Sequence, residues 1–153
     1  MEKEYLSKEK YEELERELEF LRRDKRKQVA ERLKAARSLG DLSENAEYHS
    51  ARDEQAEVES RIEQLKDLLK RAEIIKRSSK DIAEVGSTVV IQKKGDKEKT
   101  EYVIVGSEES DLSAGKISYR APLGEAILGK KKKDEFTFET PKGSAVYILV
   151  DLK

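Results

Sequence analysis

Two long charged segments, residues 7–39 and 44–75, constrain the fold of this chain more than any other feature of its sequence. Neither contains proline or glycine, the residues that interrupt helices most strongly. The second segment repeats one seam at alternating steps of three and four residues, the spacing of a coiled coil. That seam consists of Tyr48, Ala51, Gln55, Val58, Ile62, Leu65, Leu69 and Ala72. Since few residues connect the segments, we expect two antiparallel helices of roughly 50 Å each.

The seam of the first segment changes register part-way along. It begins as Tyr11, Leu14, Leu18 and Leu21, and the same spacing then reaches the polar residues Lys25 and Gln28. The apolar residues shift by one position and continue as Val29, Leu33 and Ala36. We interpret the segment as one long helix, capped at its start by Ser7, with a polar interruption in its seam.

Beyond residue 75 the composition changes to that of a small sheet domain. Pro122 suits the first position of a short helix over residues 122–130, and Gly129 suits its end. The segments rich in β-branched and aromatic residues are predicted strands: Ser87–Gln92, Thr100–Val105, Lys116–Arg120, Glu135–Glu139 and Ala145–Val150. We therefore predict an α+β fold, with a coiled-coil hairpin over residues 1–75, a linker over 76–84, and a mostly antiparallel sheet domain over 85–153.

Charge and composition limit the possible functions. The net charge is -1, so any electrostatic attraction to a partner must come from local patches. The chain has no cysteine and therefore neither a disulfide nor a thiolate metal site. No apolar run approaches the roughly 20 residues of a membrane span, and the N-terminus lacks a hydrophobic signal core. We expect a soluble cytoplasmic protein with no membrane partner.

The connection between the helices, GDLSENAEY at residues 40–48, carries the candidate chemistry. Asp41 and Glu44 have the spacing of a capping box, and spacing alone favours that structural role. The two side chains are also hard oxygen ligands, and Mg²⁺ is commonly held by one or two carboxylates together with other groups. Two carboxylates on an exposed tip cannot form a good Mg²⁺ site alone, but they could complete one inside another protein.

Opposite charges face each other across the predicted hairpin. Residues 22–37 carry a net charge of +6, and residues 41–59 carry a net charge of -6. The basic run can serve as a track for phosphates, or it can pair with the acidic run of the second helix. Both interpretations stay open at this point. No phosphate-binding loop, nucleophile elbow or zinc motif occurs, so we do not expect a self-contained enzyme.

Three stretches resemble one known family. GDLSENAEYHSARDEQ (40–55), ISYRAPLGEAILGK (117–130) and DEFTFETPKG (134–143) are similar to the Gre family of bacterial transcript cleavage factors, its GreA branch in particular. The resemblance covers nearly the whole chain. It implies a monomeric factor whose FKBP-like C-terminal domain docks on the rim of the RNA polymerase secondary channel. The hairpin would enter that channel and stimulate the polymerase's own cleavage of backtracked RNA.

The resemblance also implies roles for single residues. Asp41 and Glu44 would help hold the second Mg²⁺ of the polymerase active centre, so the free protein would bind no metal. The other implied roles are contact with the 3′ end of the nascent RNA for Arg37 and Arg52, shaping of the tip for Asn45 and Tyr48, and polymerase docking for Pro122 and Leu123.

Three other functions compete with this interpretation. A channel-binding inhibitor would share the architecture, but the intact Asp41 and Glu44 favour a cleavage factor. A protein-binding module, with the coiled coil as a dimerising arm, would leave the tip motif unexplained. A free metal-dependent nuclease is the weakest alternative, because two acids on a solvated loop form no closed site.

Overall fold

The computed structural model describes residues 2–41, 44–77 and 79–153. The chain folds as two compact units. Residues Tyr11–Arg71 form one, here called the hairpin unit, and Met1–Lys10 together with Ala72–Lys153 form the other, here called the sheet unit. Within the described residues, no helix combines the length and the apolar character needed to cross a membrane.

The two predicted helices are present. The first consists of α1 (Lys8–Phe20), a π-helical turn (Leu21–Lys25) and α2 (Arg26–Arg37). The second is α3 (Ala46–Arg71), which begins two residues later and ends four residues earlier than predicted. The Ser7 hydroxyl accepts a hydrogen bond from the Lys10 amide at 3.1 Å, so Ser7 caps α1 as expected.

The π-helical turn explains the register shift in the sequence. A π turn closes its hydrogen bonds over one residue more than an α turn, so it absorbs a single extra residue. Leu14 and Leu18 are buried before the turn, and Val29, Leu33 and Ala36 are buried after it. The polar interruption is therefore a one-residue insertion that leaves the apolar seam continuous.

The predicted seam of the second helix is correct along most of its length. Gln55 is exposed, and near the end of the helix Leu68 is buried while Leu69 is only half-buried. Ala72, the last predicted seam residue, lies outside the helix. The buried residues of α3 are Ala51, Val58, Ile62, Leu65 and Leu68.

The sheet unit consists of two separate chain segments, and two short strands, one from each segment, join them. Strand β1 (Glu4–Leu6) pairs in parallel with β2 (Ala72–Ile74), with Leu6 opposite Ile74. Residues 1–10 and 72–75 therefore belong with the sheet, although the sequence placed them with the hairpin. In the segment read as a linker, Ala83 is buried and joins the core of the sheet.

The main sheet has the order β5-β4-β3-β7-β6. All its pairings are antiparallel except that of β4 with β5. Helix α4 (Pro122–Ile127) covers it, and the shared core includes Ile104, Phe136 and Leu149. The strands are β3 (Thr88–Lys93), β4 (Lys99–Val105), β5 (Lys116–Ser118), β6 (Glu135–Thr140) and β7 (Gly143–Leu152). All five predicted strands, the short helix and the α+β class are confirmed.

Candidate functional site at the hairpin tip

Asn45 closes the turn between α2 and α3. Its side-chain oxygen accepts a hydrogen bond from the Tyr48 amide at 3.0 Å, which is the contact of a helix N-cap. Its side-chain nitrogen donates to the carbonyl oxygen of Ala36 at 2.6 Å, near the end of α2. One amide side chain therefore starts the second helix and holds the end of the first.

This geometry overturns the capping prediction for Asp41 and Glu44. Both residues precede the N-cap, so neither belongs to the first turn of α3. Residues 42 and 43 lie outside the described residues. Both carboxylates are on exposed residues. Among the described residues, the Glu44 carboxylate has no hydrogen bond or ion pair.

Gly40 follows α2 in the connection between the two helices. Gly40 has a φ of +117°, in the region that disfavours residues with a side chain. Leu39, next to it, is 72% exposed. Throughout residues 2–41, 44–77 and 79–153, no group of three His, Cys, Asp or Glu side chains could hold a metal ion.

Arg37 and Tyr48 meet across the hairpin. The guanidinium carbon of Arg37 lies 6.0 Å from the centroid of the Tyr48 ring, within the range of a cation–π contact. Arg52 follows Tyr48 by one helical turn and so shares its side of α3. In the part of the chain that the structure describes, Arg37 and Arg52 form no ion pair with a carboxylate. The structure thus places two unpaired cations and an aromatic ring on one side of the hairpin.

Arg32 of α2 is the centre of a charge network with side chains of α3. Its guanidinium donates to Glu47 at 2.6 Å, to the Ser50 hydroxyl at 2.8 Å and to Glu54 at 3.3 Å. Lys25 lies 3.5 Å from the same Glu54. The hydrogen bond from Arg32 lowers the pKa of Glu47 below its ordinary value.

Arg26 makes a second link between the helices. Both its Nε and its Nη2 donate to the Glu59 carboxylate at 2.7 Å, and this fork lowers the pKa of Glu59. Arg23 instead pairs with Glu19 in its own helix. Lys25, Arg26 and Arg32 therefore form ion pairs within the hairpin. The cations of the basic run that form no ion pair among the described residues are Arg22, Lys27, Lys34 and Arg37.

Sequence reasoning anticipated pairing between the helices but did not identify Arg32 or the double role of Asn45. Arg32 could have been found from spacing, because Glu47 and Glu54 are two helical turns apart and their carboxylates lie on one side of α3. The role of Asn45 depends on a contact with Ala36, and no local pattern predicts that contact.

Pro122 and Leu123 lie in the sheet unit. Pro122 is exposed at the first position of α4, and Leu123 is half-buried against the sheet core. Gly124 fixes their placement, because a Cβ atom there would lie 2.1 Å from the carbonyl oxygen of Ser118. The Ala121 amide donates to that same oxygen at 3.0 Å, which tightens the turn before the helix.

Comparison with known proteins covers both units. A family model described as "Transcription elongation factor, N-terminal" matches residues 4–74, and one described as "Transcription elongation factor, GreA/GreB, C-term" matches residues 78–153. The transcription elongation factor GreA of Streptococcus gordonii is 51% identical over 135 residues, 87% of this chain and 84% of that protein. GreA of Geobacillus kaustophilus is 45% identical over 155 residues, covering 99% and 98%.

A solved structure also matches along the full length. It is that of GreA factor homolog 1 of Thermus thermophilus, which is 28% identical. The match covers 100% of this chain and 99% of that one, with a TM-score of 0.45.

Proposed function

Since the chain belongs to the GreA/GreB family of transcription elongation factors, we propose that it stimulates RNA polymerase to cleave its own backtracked transcript. In this proposal the hairpin enters the secondary channel and the polymerase performs the chemistry. The observation that supports it most directly is that a residue other than Asp41 and Glu44 caps the second helix. Asn45 caps α3, and Asp41 and Glu44 are exposed residues that precede it.

Asp41 and Glu44 would hold a Mg²⁺ ion shared with the polymerase active centre. The residues fit this role, because two exposed carboxylates supply hard oxygen ligands but too few of them for a site of their own. When bound, the ion would supply charge stabilisation for phosphoryl transfer. The two carboxylates would contribute ligands and orient a water for attack.

The rest of the tip would keep those carboxylates in place. Most of the benefit in phosphoryl transfer comes from positioning, so the loop that carries the acids must be defined at both ends. The first helix ends at Arg37, ahead of Gly40, on one side of the loop, and Asn45 begins the second on the other. The bond from Asn45 to Ala36 ties the two ends together.

Arg37 and Arg52 would contact phosphates of the extruded RNA. Neither is committed to a carboxylate among the described residues, in contrast with Arg26 and Arg32. The Tyr48 ring beneath Arg37 would hold that guanidinium in a defined orientation before RNA arrives. Pro122 and Leu123 would contribute to docking on the polymerase rim.

The test uses bacterial RNA polymerase stalled in a backtracked complex with 5′-labelled RNA and Mg²⁺. We expect the native protein to shorten the RNA rapidly and the Asp41→Ala/Glu44→Ala variant to lose that activity while still binding the polymerase. The matched control is Asp53→Ala/Glu57→Ala, which removes two exposed carboxylates from α3 and should cleave like the native protein. Slowed elongation without shortening by the native protein would identify an inhibitor instead.

A further inference from the structure

Four consecutive lysines, residues 130–133, lie between α4 and β6 of the sheet unit. Together with Asp134 they form a turn, here called the lysine turn. Lys130 is half-buried, and the three lysines that follow it are exposed. The proposed cleavage chemistry makes no use of these four charges.

Backbone hydrogen bonds hold the lysine turn at both of its ends. The Ala83 amide donates to the carbonyl oxygen of Lys130 at 2.9 Å, and the Lys133 amide donates to the carbonyl oxygen of Leu149 at 2.7 Å. Ala83 and Leu149 are both buried in the core of the sheet unit. The turn is therefore fixed to a rigid part of the structure.

The two acids beside the turn leave most of its charge uncompensated. An Asp134 carboxylate oxygen accepts the backbone amide of Lys131 at 2.9 Å, so this acid serves the backbone of the turn. Asp151 lies 3.5 Å from the ammonium group of Lys132. The other three lysines of the turn form no ion pair among the described residues.

The lysine turn costs stability in two ways. Lys133 has a φ of 78°, and among the described residues other than glycine it alone has a positive φ. A residue with a side chain is strained in that region, where glycine is the usual residue. Four like charges in succession also repel one another. Strain that a rigid surrounding structure maintains is characteristic of functional sites.

The residues around the turn favour the phosphates of a nucleic-acid duplex as its ligand. Lysine is depleted at protein–protein interfaces, which bury aromatic and apolar anchors instead. Within residues 79–83 and 128–134 no large apolar side chain is exposed. Single strands stack their bases on aromatic rings, and no aromatic residue of the described sheet unit is exposed. A duplex backbone requires only cations at suitable positions.

We propose that the lysine turn binds the phosphate backbone of duplex DNA. Lys131 and Lys133, which are exposed and form no ion pair among the described residues, make the phosphate contacts. Binding does not depend on base sequence, because these contacts reach phosphates and not base edges. The inference goes beyond the proposed function and does not rest on it, since the sheet unit makes the contact without any cleavage chemistry.

The test measures binding of the full-length protein to a labelled DNA duplex by fluorescence anisotropy, over a salt series from about 30 to about 200 mM. The decisive variant is Lys131→Gln/Lys133→Gln. The matched control is Lys97→Gln/Lys142→Gln, which removes two exposed lysines that form no ion pair among the described residues. Lys97 lies in the turn between β3 and β4, and Lys142 lies at the opposite end of β6 from the lysine turn. A further variant, Lys133→Gly, removes one charge and the strained side chain together.

We expect Lys131→Gln/Lys133→Gln to weaken duplex binding about tenfold at the lowest salt and to lower the slope of log affinity against log salt by roughly 1.8, or about 0.9 for each lost phosphate contact. The control should stay within about twofold of the native affinity, because its lysines lie in other turns and their charge is screened by salt. Lys133→Gly should weaken binding about threefold and raise the melting temperature by about 2–4 °C.

Four results would overturn the inference. The native protein could fail to bind the duplex at the lowest salt. Equal losses in the two double variants would show that only net charge matters. An unchanged slope in the decisive variant would assign duplex binding to cations of the hairpin unit, such as Arg22 and Lys27. Native duplex binding combined with weaker binding to RNA polymerase would assign the turn to an acidic protein surface. Failure of the cleavage assay would leave duplex binding intact, so the two proposals fail separately.

Discussion

The Asn45 side-chain nitrogen lies 2.6 Å from the carbonyl oxygen of Ala36, so the residue that caps α3 also secures the end of α2. The side chain uses both its NH2 donor and its carbonyl acceptor, and only Asn and the longer Gln carry this amide pair. Asn45 thereby joins the two helices at the tip. Asp41 and Glu44, which precede it, are exposed.

The first prediction separates the two hydrogen bonds of Asn45. Aspartate is as good an N-cap as asparagine, so helix capping alone predicts no loss for Asn45→Asp. The carboxylate cannot donate to Ala36, however, and would set a negative charge against its carbonyl oxygen. We expect the free energy of unfolding to fall by about 1–3 kcal/mol, measured by thermal unfolding of the helical circular dichroism signal. Native stability would show that the bond to Ala36 contributes nothing.

Glu44→Gln should separate activity from stability. Because Glu44 is not part of the cap, we expect its free energy of unfolding to stay within about 0.5 kcal/mol of native. Cleavage of backtracked RNA should nevertheless fall sharply, since an amide is a much poorer Mg²⁺ ligand than a carboxylate. Glu57→Gln serves as the control and should change neither property. A loss of about 1 kcal/mol in Glu44→Gln would restore the capping interpretation.

Arg37→Ala and Arg52→Ala should change the salt dependence of cleavage. Each phosphate contact on single-stranded nucleic acid adds roughly 0.7 to the slope of log affinity against log salt. We expect each variant to raise the half-saturating concentration and to lower that slope by about this amount, with little change in thermal stability. Arg32→Ala is the contrasting variant, because Arg32 forms ion pairs with Glu47 and Glu54. It should destabilise the hairpin and leave the slope unchanged.

The tip shows where prediction from sequence stops. Asp41 and Asn45 are both good N-caps, and the local pattern favours Asp41 because Glu44 follows it at capping-box spacing. The contact of Asn45 with Ala36 decides between them, and it exists only once the two helices are side by side. The local sequence therefore predicted the turn and its ends but favoured the wrong residue as the N-cap of α3.

Elsewhere, composition and context decide what can be predicted. The five strands of the main sheet were found because their segments are rich in β-branched and aromatic residues. Strands β1 and β2 have three residues each and adjoin the two helices, so nothing in the sequence separated them from the hairpin. Leu68 takes the core position predicted for Leu69, and no local pattern distinguishes these two adjacent leucines.

Deleting Asp24 should be tolerated, because it removes the residue that the π turn accommodates. The segment can then continue as regular α-helix, and Val29 and Leu33 still face α3. We expect native helical content and equal or higher thermal stability. Deleting Glu31, inside α2, has no π turn to absorb it and rotates Leu33 away from the seam. That control should lose several kcal/mol, on the order of one or two core truncations. Equal losses from both deletions would contradict this role of the turn.

Acidification should weaken the hairpin with a predictable sign. Hydrogen bonds from Arg26 and Arg32 hold the pKa values of Glu59 and Glu47 below their ordinary value of about 4.5. At a pH below that value the unfolded chain binds more protons at these sites than the folded chain does, so stability decreases as the pH falls. The contribution is fully present above about pH 4.5 and is lost as the pH drops through the folded pKa values.

The acid effect is isolated by comparing two variants over the same pH series. Asp111 and Asp151 of the sheet unit also have lowered pKa values, so the native protein alone gives a combined effect. Glu59→Gln removes one titrating partner, and its thermal stability should fall less steeply below about pH 4.5 than that of the native protein. Glu57→Gln, which removes an exposed carboxylate of the same helix, should keep the native slope. If both variants follow the native pH profile, the fork from Arg26 to Glu59 contributes no measurable stability, as is common for exposed ion pairs.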